Sequence, residues 1–132
     1  MPIHHGIDRE RSLIRTTCTG PVNLDEVSQH FRTLEAEIDL PDPLDVLLDL
    51  SGLASVPDAK QIQLIAAEIG RLHGNVHWGA CAIVATRDLV FGVGRVLEVR
   101  TEDSFASTQV FREAAAAEAW LASERARRSR SR

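Results

Sequence analysis

The stretch "VLLDLSGL", Val46–Leu53, runs from apolar residues straight into an acid, a serine and a glycine. Together with Leu44 and Asp45 it forms "LDVLLDL", a run with no alternation of apolar and polar positions. That is the pattern of a strand covered on both faces, as found in parallel or mixed sheets between helix layers. "ACAIVAT", Ala80–Thr86, repeats it. Two such runs separated by a helical stripe place this chain among α/β folds.

Working outward, Ile3–Ile7 and Ser12–Thr19 look like two short strands joined through the polar "DRER" turn, which predicts an N-terminal hairpin. Asn23 is placed to cap a helix, with Glu26 three residues later as in a capping box; Leu24, Val27, Phe31, Leu34 and Ile38 recur at helical spacing. "LPDP", with Pro41 and Pro43, ends it. Pro57 and Asp58 suit the first turn of a second helix whose stripe is Ile62, Ile65, Ala66, Ile69 and Leu72, with Gly74 as its stop. Asp88 is placed to cap the segment "LVFGVGRVLEV". "SFASTQVF" reads as a last strand, and the alanine-rich "REAAAAEAWLASERARR" as a closing helix that packs Trp120 and Leu121 on the sheet. The expected architecture is α/β, built of right-handed crossovers and opened by an antiparallel hairpin.

A chain of 132 residues fits one domain, and 44% hydrophobic with 26% charged residues is the balance of a folding globular protein. The net charge of -4 conceals an asymmetry: residues 1–124 carry 10 basic and 19 acidic side chains, because five arginines fall in the last eight residues. An acidic body repels phosphate backbones, so nucleic acid is not an expected partner. The Arg/Ser-rich segment 125–132 reads as a solvated tail outside a single domain of residues 1–124. No signal-peptide pattern and no membrane-length apolar run is visible, which predicts a cytoplasmic protein without a membrane span. Cys18 and Cys81 lie in apolar runs and are expected to be reduced core thiols.

The combination of "VLLDLSGL", "CAIVATRDLVFGVGR" and "VFREAAAAEAWL" resembles the small SpoIIAA-like proteins of the STAS/SEC14-like superfamily. The resemblance covers most of the chain. It implies a (βα) superhelical fold with a four- to five-stranded mixed sheet, an N-terminal hairpin and helices packed on the sheet. It also implies a bacterial, non-enzymatic module. Some relatives are anti-sigma-factor antagonists in which a serine of an Asp-x-Ser-Gly motif is phosphorylated to switch a protein interface, and Ser51 matches that serine. Others enclose a lipid or other apolar ligand between helices and sheet. The partner implied is therefore either another protein or an apolar small molecule.

Two candidate sites follow. Asp49, Ser51, Gly52, Thr86 and Arg87 are expected at the carboxyl ends of neighbouring parallel strands, where open α/β sheets bind ligands. "LASVPDA" departs from the antagonist pattern by delaying the next helix to about Pro57, so Ser51 is not offered free amides by a helix end. The plain alternative for "DLSG" is a turn in which Asp49 and Ser51 bond nearby backbone. Phe91, Gly92, Val93, Gly94 and Arg95 form the second candidate, a pocket wall or interface: each glycine costs a helix about 1 kcal/mol relative to alanine, which close packing or a docked partner must offset. A carrier is expected to place its cavity under this segment, with Phe91 or Val93 lining it. A symmetric homodimer is the other use of the glycines, with Val90 and Phe91 supplying apolar contact.

No cofactor or metal site is expected. His73 and His77 stand four apart, but Gly74 and Asn75 between them break a helix, and the adjacent His4 and His5 face opposite ways on a strand, as surface residues. Neither Ser51 nor Cys81 has a histidine near it in sequence, so no catalytic residue is assigned.

Overall fold

The computed structural model describes residues 3–37, 39–72 and 76–130. His73, Gly74, Asn75 and Ile38, which entered the sequence reading as a histidine pair, a helix stop and a stripe position, lie outside the described residues. The elements run β1 (Ile3–Asp8), β2 (Leu13–Gly20), α1 (Leu24–Glu35), β3 (Leu44–Leu53), α2 (Ala59–Leu72), β4 (Trp78–Val84), α3 (Asp88–Arg100), β5 (Ser107–Phe111) and α4 (Ala114–Arg130). Among the described residues they build a five-stranded sheet in the order β1-β2-β3-β4-β5. The β1–β2 hairpin is antiparallel, and every later pairing is parallel.

The apolar run of β3 is divided between the two faces by the strand period of two. Leu44, Val46, Leu48 and Leu50 face the core under α1, α2 and α3, while Leu47 faces the smaller core under α4 with Leu13, Ala82 and Leu121. β4 is buried at all seven positions, as expected of a strand with helices on both sides. Trp120 packs on Phe111 at 5.6 Å between ring centroids and Leu121 is buried, so α4 closes on the sheet as its sequence predicts.

Two helix starts match local chemistry. Asn23 and Glu26 form a reciprocal capping box on α1. Asp58 and Gln61 do the same for α2: the Gln61 amide nitrogen donates to Asp58 Oδ1 at 2.9 Å and the Asp58 nitrogen to Gln61 Oε1 at 3.0 Å. Asp58 thus precedes the helix rather than sitting in its first turn. At α3 the expected cap is displaced. Asp88 is already helical, the capping position falls on Arg87 with no side-chain bond, and Asp88 instead accepts from Arg112 Nη1 at 2.6 Å.

The largest correction concerns the C-terminal segment. Residues 125–130, assigned to a solvated tail although the expected closing helix already ran to Arg128, continue α4 to Arg130, and Arg128 reaches the far end of the sheet. There its guanidinium donates twice to Asp45, at 2.7 and 3.0 Å, and the Ala80 nitrogen donates to the same carboxylate at 2.9 Å. Asp45 is buried in the α4 face of β3, so this cation is its compensation. A Cβ on Gly79 would sit 2.2 Å from Asp45 Oδ1, which is why β4 carries glycine at that point.

Candidate functional site

The five residues expected at the strand ends do lie at one end of the sheet, but their polar groups are used locally. β3 continues through Ser51 to Leu53, and α2 starts only at Ala59. Asp49 Oδ1 accepts from the Ser51 nitrogen at 2.9 Å and from Ser51 Oγ at 2.6 Å within the strand, so the turn expected at "DLSG" does not form there, although the two residues do bond locally. Ser51 and Gly52 are exposed. Gly52 packs closely on β2: a Cβ there would be 3.0 Å from Thr19 Cγ2. Arg87 leaves the end of β4 and donates to the Leu53 carbonyl at 2.8 Å, tying the two strand ends together. The Thr86 carbonyl accepts from Arg112 at 3.2 Å.

Replacing Ser51 with alanine is therefore expected to change stability by under about 0.5 kcal/mol, because the lost hydroxyl is exposed. Asp49→Ala removes the acceptor of two bonds and is expected to lose about 1 kcal/mol, its donors being free to rehydrate. Urea unfolding of both variants checks the order, and a larger loss for Ser51→Ala contradicts it.

The glycine segment separates into an inner and an outer side. Gly94 faces the sheet, where a Cβ would be 3.0 Å from Val110 Cγ1, and Val93 is buried beside it. Gly92 faces outward, with nothing within 4 Å of a Cβ position. Phe91 is half-buried beneath the Arg112 guanidinium, 4.2 Å from its ring centroid, and Arg95 is exposed with Glu98 as its ion partner.

None of Phe91, Gly92, Val93, Gly94 or Arg95 lines the apolar cavity found between sheet and helices. That cavity, of about 100 Å³, lies between the sheet and helices α1 and α2; from α3 it takes Leu97 alone. Its wall includes Val27 and Phe31 of α1, Ile65 and Ile69 of α2, Leu48 of β3 and Trp78 of β4. Periodicity marks each helix's apolar face but not where two faces part, and the cavity lies on the α1–α2 side rather than under α3.

Its polar lining is sparse: Thr16, Cys18, His30, Ser55, Gln61, Cys81 and the Trp78 indole. The indole donates to the Ile69 carbonyl at 3.0 Å. Burial, with the Asp49 charge adding to it, pushes the Cys18 thiol up to about 11, and burial pushes the Cys81 thiol higher still. Both are free, buried and protonated at neutral pH. His30 is the residue the sequence reading passed over. It stands three residues after Val27 and four before Leu34, hence on the apolar face of α1, and that spacing was its signal. Burial, with a smaller contribution from His5, holds its imidazole down at about 4. His5 is a correction as well: its side chain is only 12% exposed, bonded to Glu37 at 3.3 Å and 5.3 Å from the His30 ring.

The sequence matches no protein-family model and no curated protein. Among solved structures it is similar to an uncharacterized protein of the DUF3478 family from Shewanella loihica PV-4, described as having a SpoIIAA-like fold. The two share 22% identity at a TM-score of 0.64, over 90% of this chain and 93% of that one. With its mixed sheet, its N-terminal hairpin and helices on both faces, the chain has a SpoIIAA-like fold.

Proposed function

We propose that this protein is a non-enzymatic binder of a small apolar ligand, held between the sheet and helices α1 and α2. The observation that carries the reading is the cavity of about 100 Å³, whose lining includes no Asp, Glu, Lys or Arg. Apolar cavities of comparable size, about 150 Å³, stay dry and take up benzene. The protonated Cys18 and Cys81 thiols, and Ser51 bonded to Asp49, favour a binding role over nucleophilic catalysis at these three residues.

Trp78 stands in the cavity wall and Trp120 on the opposite face of the sheet, so a Trp120→Phe variant reports the cavity alone. Toluene is expected to change its fluorescence along a saturating curve with a Kd of about 1 mM or tighter. A signal that is absent, or linear without saturation, rejects the reading.

A second reading, the protein-interaction module of the antagonist type, is favoured by one observation: the Ser51 hydroxyl is exposed. A phosphate there adds roughly -1.5 to -2 charge beside Asp49, enough to alter a docked surface. Incubation with a cell extract and ATP followed by intact mass measurement tests it, with a Ser51→Ala control; an unmodified wild type counts against it.

A symmetric homodimer would use residues other than Val90. Val90 is 1% exposed, whereas Leu89, Val96 and Val99 are exposed on the outer side of α3 around Gly92. With Asp88 in its first turn and Arg100 in its last, an antiparallel α3–α3 pair sets each acidic end beside a basic one. Light scattering is expected to show a mass rising with concentration above 14.5 kDa, and Leu89→Glu to hold it there. A wild-type mass of 14.5 kDa at every concentration rejects the dimer.

Among the described residues no helix is long and apolar enough to cross a membrane.

A further inference from the structure

Most polar groups in the cavity wall are already bonded or inert. The Gln61 side chain is used at both ends, accepting from Asp58 through Oε1 and donating from Nε2 to the Val22 carbonyl at 2.6 Å. The Trp78 indole is bonded to Ile69, and the two thiols are weak, protonated donors. His30 differs. Its ring is fixed by edge contacts with His5 and Phe31, each 5.3 Å between centroids, yet neither ring nitrogen has a hydrogen-bond partner among the described residues. The Thr16 hydroxyl, on β2, and the Ser55 hydroxyl, just past β3, are also without one, and of the three only the imidazole offers a donor and an acceptor on separate atoms.

A charged head group brought into this wall loses its hydration and meets no counter-charge, which is heavily unfavourable. Nor does His30 supply one, because burial keeps its imidazole neutral at physiological pH. A neutral imidazole offers one donor and one acceptor, the complement of a hydroxyl or an amide. In a wall with few other polar groups, those two sites are open to a ligand that matches them.

We propose that the ligand is a neutral amphiphile, an apolar body with one uncharged hydrogen-bonding end, and that His30 is the residue that receives that end. The inference rests on the reading of the cavity as a ligand site and adds the class of ligand and the group that selects it. His5, itself held by Glu37, sets the orientation of the His30 ring.

The test compares 1-hexanol, hexanoate and toluene by Trp78 fluorescence in the Trp120→Phe background at about pH 7.5. Hexanol is expected to bind at least about tenfold more tightly than hexanoate, since only the latter carries a charge into the wall. His30→Phe is expected to weaken hexanol about fivefold, the worth of one net hydrogen bond, while moving toluene by less than about twofold. His30→Gln, which keeps a donor and an acceptor, is expected to recover most of the hexanol affinity. Hexanoate binding as tightly as hexanol overturns the proposal, and that wild-type comparison stands even if a variant does not fold. Hexanol affinity unchanged in folded His30→Phe overturns it too. In both cases saturable toluene binding leaves the apolar cavity in place as a site; binding of none of the three probes removes both.

Discussion

Arg128→Ala is expected to lower the free energy of unfolding by about 3 kcal/mol, measured by urea denaturation followed by circular dichroism. The Asp45 side chain is 3% exposed on a strand between two layers, and its charge is answered by one guanidinium and one backbone amide. Removing the guanidinium leaves a buried carboxylate with the amide alone, and the loss lies at the lower end of what uncompensated buried charges cost because Arg128 is itself 28% exposed. Truncation after Glu124 removes the same cation and is expected to lose at least as much. Replacing both partners with apolar residues, Asp45→Leu with Arg128→Met, is expected to lose less than either single removal, since no charge is then stranded. A change under about 0.5 kcal/mol in Arg128→Ala contradicts a structural role for the end of α4.

Acid is expected to destabilise the protein through His30. Its folded imidazole titrates at about 4, below the ordinary 6.5, because burial disfavours the charged form and His5 lies against it. The unfolded chain therefore binds the extra proton first. The stability this group contributes is complete above pH 6.5 and is lost as the pH falls from there through about 4. At about 1.4 kcal/mol per pH unit inside that window, the loss by pH 5 is about 2 kcal/mol. Glu37, bonded to His5, is the carboxylate facing this cluster from beyond the end of α1. Carboxylates elsewhere titrate in the same range, so the measurement is a difference: His30→Leu is expected to lose about 2 kcal/mol less than wild type between pH 7 and pH 5. Parallel pH profiles for the two proteins contradict the neutral, buried imidazole.

These two residues also show how far the sequence could be read. The unalternating runs at Leu44–Leu50 and Ala80–Thr86 identified the central strands because two-sided burial leaves no polar positions in a strand, and the Asn23–Glu26 pair located a helix start because capping is local chemistry. Asp45 passed as one position of an apolar run, because its partner lies 83 residues away in a segment whose composition resembles a solvated tail. Composition reports what a segment does alone, and here the neighbouring carboxylate decided. Local bonding at "DLSG" was one of two readings open to the sequence, and the course of β3 through Leu53 shows that Asp49 and Ser51 bond each other within the strand. The cavity was anticipated between helices and sheet but assigned to α3, because its position depends on how α1 and α2 lie over β2 and β3, a tertiary property with no local signal.

A ligand-binding role requires an occupant between α1, α2 and the sheet. Methyl-labelled protein titrated with 1-hexanol and followed by carbon–proton correlation NMR locates it directly. The structure predicts saturable shifts at Val27, Leu48, Ile65 and Ile69, with Leu13, Leu47 and Leu121 on the other face of the sheet unmoved. Shifts confined to Leu89, Val96 and Val99 on the outside of α3, or no saturable shifts at all, would contradict it.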